Sequence, residues 1–149
     1  MGLNGQITVF DRLTGVFTPQ YWRLRLAEEC NRSERYLHFF SILTLDTLPL
    51  ILDADEERQI EKLSEIATLL RMNVRKTDII GLMEDGNFAL ILPETPGEGA
   101  EVVVRRLKEL LELMEGPEKP IRMKLALYPR DGSRDVDLLE RLGLPLIGG

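Results

Sequence analysis

The sequence has very little of the two residue types that form covalent cross-links and most zinc sites. Among its 149 residues there is one cysteine, Cys30, and one histidine, His38. A single cysteine cannot form an intrachain disulfide. One cysteine and one histidine also cannot supply a Cys/His zinc site. The composition therefore favours a reducing compartment, and we expect a cytoplasmic protein.

Long apolar segments and positive charge are scarce as well. The most hydrophobic segment, residues 38–52, is interrupted by Asp46 and Pro49, and it is shorter than the roughly 20 residues that span a bilayer. The formal net charge is −6. This balance argues against bulk binding to nucleic acid or anionic membranes, although it leaves room for a local basic pocket. We therefore expect no nucleic-acid partner and no membrane insertion.

What remains is an ordinary globular composition, with 44% hydrophobic and 30% charged residues. A chain of this length fits one domain with a substantial core. Residues 1–10 show no periodicity and are interpreted as a linker or N-terminal extension. Residues 11–149 are interpreted as the folded domain.

Hydrophobic periodicity in the first half predicts two helices around a strand. Thr18 precedes a proline, which is typical of a helix start, and the polar run at residues 31–35 is expected to end that helix. Residues 39–46 have apolar side chains on both faces, as expected of a central strand. A long helix follows, with Asp53 as the predicted N-cap.

The second half predicts a hairpin, a helix, a strand and a short helix. The two hairpin strands cover about residues 78–83 and 87–92, on either side of an Asp-Gly turn, and the next helix ends at Gly116. Residues 121–129 alternate as a half-buried strand, and a short helix lies near residues 135–142. We predict an α/β fold whose central, mostly antiparallel sheet is flanked by helices, built on a β-α-β-β-α-β core.

Four segments, taken in order, resemble the GGDEF family, the bacterial domains whose active members condense two GTP into cyclic di-GMP. The resemblance implies the same nucleotide-cyclase-like fold and spans about residues 11–142. The segments are DRLTG at residues 11–15, FSILTLD at 40–46, TDIIGLMEDGNFALILPET at 77–95 and YPRDG at 128–132.

The family's signature is altered at four of its five positions. In this family the glycines let the nucleotide approach the turn, and the acidic third position helps to hold a divalent metal ion. The departures imply a degenerate GGDEF domain that is not an enzyme and that needs no cofactor. Aligned on the final phenylalanine, the signature becomes Glu84, Asp85, Gly86, Asn87 and Phe88.

Two aspartates near the altered signature remain candidates for the metal site. Asp46 takes the place of the family's first metal-binding aspartate. It is interpreted either as a vestigial metal ligand or as a strand-end residue that caps a loop. Asp85 lies one residue from the acidic position. Because successive side chains of a strand point to opposite faces, we do not expect Asp85 to replace the missing ligand.

A second site of the family is better preserved. Arg75 and Asp78 match its product-binding R-x-x-D, which ends five residues before the signature, and Arg106 takes the place of a second arginine. A guanidinium can bind phosphate bidentately or stack on guanine, and an aspartate can accept from the guanine N1–H and amine. The resemblance implies an inactive signalling domain that binds cyclic di-GMP through these three residues. It would pass the signal to a protein partner or to another domain of a longer chain.

Other interpretations stay open at this point. Asp78 can instead cap the turn into the strand, and both arginines can be solvated residues of helix surfaces. The alternative function is then a ligand-free domain for protein–protein interaction or homodimerisation. A GTP-binding regulatory domain without turnover is a third hypothesis, and it is disfavoured because the nucleotide-contacting segment is the most altered.

Overall fold

The computed structural model of the protein describes residues 8–146. The first seven residues of the predicted linker and the last three residues of the chain lie outside this range. Residues 8–10 pair with the start of the domain, because Phe10 forms an isolated bridge with Phe17. None of the helices within residues 8–146 combines the length and the apolar character needed to cross a membrane.

Five helices and four strands make up the described part of the chain. They follow one another as α1 (Pro19–Tyr36), β1 (Phe40–Asp46), α2 (Leu48–Ile51), α3 (Glu56–Met72), β2 (Ile79–Leu82), β3 (Asn87–Pro93), α4 (Gly97–Glu115), β4 (Arg122–Tyr128) and α5 (Asp135–Leu142).

The strands form one antiparallel sheet in the order β2-β3-β1-β4. Strand β1 is central, and its first six residues are buried. Alternate residues of β1 supply two apolar clusters. Ile42 packs with Trp22 of α1 and Leu138 of α5, and Leu43 packs with residues of α3 and α4 such as Ile66. Helices therefore cover both faces of the sheet, and the predicted fold class is confirmed.

Helix α1 begins where the sequence predicts and ends later. The side chain of Thr18 accepts a hydrogen bond from the backbone N–H of Tyr21. The prediction that residues 31–35 end this helix is wrong. Within this polar run Ser33 is buried, and its neighbours lie on the solvent face of one further turn. The helix is closed by Leu37, which adopts a left-handed conformation with φ 56°.

The prediction of Asp53 as a helix N-cap is also wrong. The short helix α2 comes first, and α3 is capped by Asp55, whose Oδ1 accepts from the N–H of Arg58 at 2.9 Å. Asp53 instead accepts from Lys119 Nζ at 3.2 Å. Both aspartates are suitable caps by residue type. The contact of Asp53 with a lysine 66 residues away is not visible in the local sequence.

Candidate functional site

The two ends of the sheet bring together two separate groups of charged residues. Strand β1 pairs with β3 from Phe40↔Pro93 at one end to Asp46↔Asn87 at the other. A strand rises about 3.3 Å per residue, so these ends lie roughly 20 Å apart. The Arg75 end comprises Arg75, Asp78, Thr95 and Arg106. The Asp46 end comprises Thr44, Asp46, Asn87, Arg122 and Lys124.

At the Arg75 end, one arginine is fixed in place by its surroundings. Arg75 Nη2 donates to Asp78 Oδ1 at 3.1 Å, to the Pro93 carbonyl at 2.7 Å and to Thr95 Oγ1 at 2.6 Å. Asp78 Oδ2 also accepts from the backbone N–H of Arg75 at 2.8 Å. The Asp78 side chain is 4% exposed, whereas that of Arg75 is 55% exposed. Asp78 therefore closes the turn before β2 and orients a guanidinium that still faces solvent.

The three residues predicted from the R-x-x-D resemblance line one cavity. This open cavity has a volume of about 590 Å³ and includes Arg75, Asp78 and Arg106 in its lining. Arg106, on α4, donates to the carbonyl of Asn73, at the end of α3. Glu94 also lines the cavity, and its own backbone adopts a left-handed conformation with φ 51°. The structure thus brings together two guanidinium groups and two carboxylates.

Helix α1 contributes positive charge beside this cavity, which the sequence reasoning missed. An adjoining cavity of about 520 Å³ shares Arg75 and Asp78 with the first and is also lined by Arg25, Arg32 and Lys76. Arg25 and Arg32 lie seven residues apart, which places them on one face of a helix. In the sequence, this spacing was the only sign that the two arginines act together. Their position beside the cavity depends on the packing of α1 against β2, which is a tertiary feature.

At the Asp46 end, a cleft of about 480 Å³ opens over the sheet. It is lined by Thr44 and Asp46 of β1, Asn87 of β3, and Arg122 and Lys124 of β4. Asp46 is the cross-strand partner of Asn87 on one side and of Arg122 on the other.

Asp46 closes the turn that leads into α2, whose N-cap is the next residue, Thr47. Asp46 Oδ1 accepts from the N–H of Leu48 at 3.0 Å, as in the loop-capping interpretation.

Glu84, the first residue of the predicted signature segment, is fixed to α1. Glu84 accepts two hydrogen bonds from Arg23, at 2.9 Å from Nη1 and at 2.8 Å from Nη2. This bidentate contact lowers the pKa of Glu84 below its usual value. Glu84 thus links α1 to the hairpin.

The next residues of the signature form the hairpin turn. Asp85 Oδ1 accepts from the N–H of Asn87 at 3.0 Å. Gly86 has φ 87°, a conformation that favours glycine, and its carbonyl accepts from Thr47 Oγ1 at 2.7 Å. Phe88 is fully buried. Of these residues, Asn87 lines the cleft.

The donor set of the cleft fits a divalent cation poorly. No three residues of the types His, Cys, Asp and Glu lie together as a metal site within residues 8–146. Among residues 8–146, Asp46 is the only carboxylate that lines the cleft, and it shares the cleft with Arg122 and Lys124. Hard cations are held by carboxylates together with substrate phosphates. The positive charges of Arg122 and Lys124, beside the carboxylate of Asp46, oppose the binding of such a cation.

Comparison with known proteins identifies a family. The model of the family described as "Diguanylate cyclase, GGDEF domain" matches residues 8–127. Among curated proteins, "Probable diguanylate cyclase DgcC" of Escherichia coli K12 is 26% identical over 132 residues, which are 80% of this chain and 34% of DgcC. The chain therefore spans about a third of the length of this relative.

Solved structures of GGDEF domains share the fold. The FimX GGDEF domain of Pseudomonas aeruginosa aligns with a TM-score of 0.79 at 15% identity, covering 92% of this chain and 90% of that one. The GGDEF domain of DgcB from Caulobacter crescentus, in complex with c-di-GMP, aligns with a TM-score of 0.75 at 12% identity. That alignment covers 93% of this chain and 87% of the DgcB domain.

These comparisons contradict the prediction that the chain is not an enzyme. The matching family and DgcC are both described as diguanylate cyclases, which are enzymes. The prediction rested on local departures from the family's motifs, chiefly those at residues 84–88, whereas the match extends along residues 8–127. A degenerate signature at residues 84–88 and a homodimer remain predictions. With this match and the shared fold, the chain belongs to the GGDEF family and is related to diguanylate cyclases.

Proposed function

We propose that this domain binds cyclic di-GMP at the Arg75 end, with Arg75 and Arg106 as the residues that contact its phosphates and bases. One observation carries the proposal: a single open cavity contains both guanidinium groups together with Asp78. Its volume of about 590 Å³ lies within the range of small-molecule sites. The DgcB domain, which shares this fold, was solved in complex with c-di-GMP.

The hydrogen bonds of Arg75 suit it to this task. All three of its side-chain bonds use Nη2, so the N–H groups of Nε and Nη1 are left to donate single hydrogen bonds to phosphate oxygens, and the plane can stack on guanine. Because the side chain is already held by Asp78 and Thr95, the ligand orders it at a reduced entropic cost.

The carboxylates of the cavity take different roles in this proposal. Both oxygens of Asp78 are bonded to Arg75, and its side chain is almost fully buried. Asp78 therefore positions Arg75. Glu94 is exposed and lines the same cavity, so its carboxylate can accept hydrogen bonds from the guanine N1–H and amine.

Nearby positive charge supports the binding of a ligand with two phosphates. The whole chain is acidic, with a net charge of −6. Nevertheless Arg25, Arg32 and Lys76 line the cavity that adjoins Arg75. Glu29, Asp78 and Glu94 line this cavity as well, so its four cations, counted with Arg75, exceed its carboxylates by one. This local excess of positive charge favours an anionic ligand.

Titration calorimetry with cyclic di-GMP tests the proposal. We expect the wild type to bind and Arg75→Ala to lose at least about tenfold in affinity, because a hydrogen bond to a charged group is removed. Arg58→Ala is the matched control, since Arg58 is an exposed arginine on α3, and its affinity should be unchanged. Absence of binding by the wild type would overturn the function, and unchanged affinity in Arg75→Ala would overturn the site.

Diguanylate cyclase activity is the second candidate, supported by the matched family and by the description of DgcC. Asp46 is the carboxylate that lines the cleft. The test is formation of cyclic di-GMP from GTP and magnesium, which Asp46→Ala is expected to abolish. A folded wild type that forms no product would remove this candidate and leave the binding proposal intact.

A further inference from the structure

Strand β4 places two cations in the Asp46 cleft that the family resemblance did not assign. The register of β1 and β4 pairs Asp46 with Arg122 and Thr44 with Lys124. Directly paired residues have Cβ atoms about 5 Å apart and share one face of the sheet. The two cations therefore stand beside Asp46 on the face where the cleft opens.

These cations are not neutralised by other described residues. Within residues 8–146, neither Arg122 nor Lys124 nor Asp46 takes part in an ion pair. Lys124 donates only a long bond of 3.5 Å, to the carbonyl of Leu142. The cleft thus holds two positive side chains against one negative side chain, and Arg122 and Lys124 are exposed to solvent.

We propose that Arg122 and Lys124 bind the phosphate groups of a nucleoside triphosphate in this cleft directly, without a divalent cation. Divalent ions neutralise phosphate charge where carboxylates hold them, and this cleft has one such carboxylate beside two cations. The guanidinium of an arginine can donate hydrogen bonds to two phosphate oxygens at once, and the ammonium of a lysine adds a compact positive charge.

Polar groups and room for the ligand support this assignment. Asn87 and Thr44 line the same cleft and can donate an amide and a hydroxyl hydrogen bond. The volume of about 480 Å³ suits a small ligand. This site is separate from the cavity proposed for cyclic di-GMP, because the two lie at opposite ends of β1, and neither proposal depends on the other.

Titration calorimetry in EDTA, with inorganic tripolyphosphate and GTP as separate probes, tests the proposal. We expect the wild type to bind both probes, and the double variant Arg122→Gln with Lys124→Gln to lose about 100-fold in affinity, since two charged donors are removed. Arg58→Gln, on an exposed part of α3, should bind as the wild type does. No binding by the wild type in EDTA, or unchanged binding by the double variant, would overturn the proposal.

The variant Asp46→Asn is expected to change the affinity for tripolyphosphate in the opposite direction. The asparagine oxygen can still accept from the N–H of Leu48, so the turn before α2 is kept. Removing the negative charge of Asp46, the one carboxylate that the described residues bring to the cleft, should tighten tripolyphosphate binding in EDTA by about threefold or more. A metal-dependent site behaves in the reverse way, so weaker binding by this variant, or binding only after magnesium is added, contradicts the proposal.

The controls separate this proposal from the proposed function. Arg122 and Lys124 are exposed, so the double variant should unfold at the temperature of the wild type. Its affinity for cyclic di-GMP should also be unchanged. A loss of cyclic di-GMP binding in the double variant would show that the two ligands share the Asp46 cleft, and it would overturn the separation of the two sites.

Discussion

The two ends of one sheet hold their arginines in different ways. At the Arg75 end, a buried carboxylate, a carbonyl and a hydroxyl fix the guanidinium of Arg75. At the Asp46 end, Arg122 and Lys124 stand in an open cleft with no ion-pair partner in residues 8–146. The comparison shows that the presence of an arginine in a cavity says little until its hydrogen bonds are known.

This difference has consequences for binding. An unrestrained arginine side chain carries about 2 kcal/mol of rotamer entropy, part of which is lost when a ligand fixes it. The Arg75 end has already lost much of that freedom on folding, so it should bind a ligand of defined shape selectively. The Asp46 end should respond mainly to the charge of the ligand, and its affinity should fall more steeply with salt.

The largest expected effect is a reciprocal loss of binding at the two ends. Arg75→Ala combined with Arg106→Ala should lower the affinity for cyclic di-GMP by about 100-fold, because two charged donors are lost. Its affinity for tripolyphosphate in EDTA should be unchanged. Calorimetry with both ligands on this variant and on the double variant Arg122→Gln with Lys124→Gln measures all four affinities. If both variants lower both affinities, the two ends do not act as separate sites.

Removal of Asp78 should disturb the Arg75 end in both stability and binding. Asp78→Ala leaves the backbone N–H of Arg75 without its acceptor and removes one of the three acceptors of Arg75 Nη2, so we expect a loss of about 2 kcal/mol in the free energy of unfolding. Urea denaturation measures this loss, and cyclic di-GMP affinity should fall with it. Asp85→Ala is the control, because Asp85 is an exposed turn residue that accepts from Asn87. An equal cost for both variants would show that Asp78 has no special role.

A smaller effect is expected in the turn next to the Asp46 end. Gly86 has φ 87°, a left-handed conformation in which an alanine side chain is strained, so Gly86→Ala should lower the free energy of unfolding by about 1 kcal/mol. Gly86→Asn should cost less, because asparagine tolerates this conformation better. Thermal unfolding of the two variants measures the difference. Equal stability of Gly86→Ala and the wild type would contradict the conformation of the turn.

The smallest effect concerns the contact between Arg23 and Glu84. Because the folded-state pKa of Glu84 is lowered from 4.5, its stabilisation is fully present above pH 4.5 and is lost as the pH falls through the folded-state pKa. Glu84→Gln should therefore cost about 0.5 to 1 kcal/mol at neutral pH. The difference in the free energy of unfolding between Glu84→Gln and the wild type should narrow as the pH falls below 4.5. Denaturation at pH 7 and pH 3 tests the sign, and a gap that widens at pH 3 would refute it.

The sequence predicted the fold better where apolar runs were bounded by turns. The hairpin strands were predicted within about a residue of their observed bounds, and the end of helix α4 at Gly116 was predicted correctly. The N-cap of α3 was assigned to Asp53 instead of Asp55. Two aspartates of the same chemistry stood two residues apart, and the contact that engages Asp53 comes from Lys119.

The residues of the candidate sites were likewise predicted in part and missed in part. The resemblance named Arg75, Asp78 and Arg106, and the structure places them in one cavity. It missed Arg122 and Lys124, because their position beside Asp46 depends on the pairing of strands about 76 residues apart in the chain. The prediction about enzyme activity failed because it weighed a few signature residues above the similarity of the whole domain.

The central claim is that cyclic di-GMP binds at the Arg75 end of the sheet. Amide nitrogen–proton correlation spectra of the labelled chain, recorded during titration with cyclic di-GMP, test it most directly. We predict saturable shift changes at Arg75, Thr95 and Arg106, with the amides of Asp46 and Arg122 unaffected. Shift changes confined to Asp46 and Arg122, or none at either end, would contradict this account.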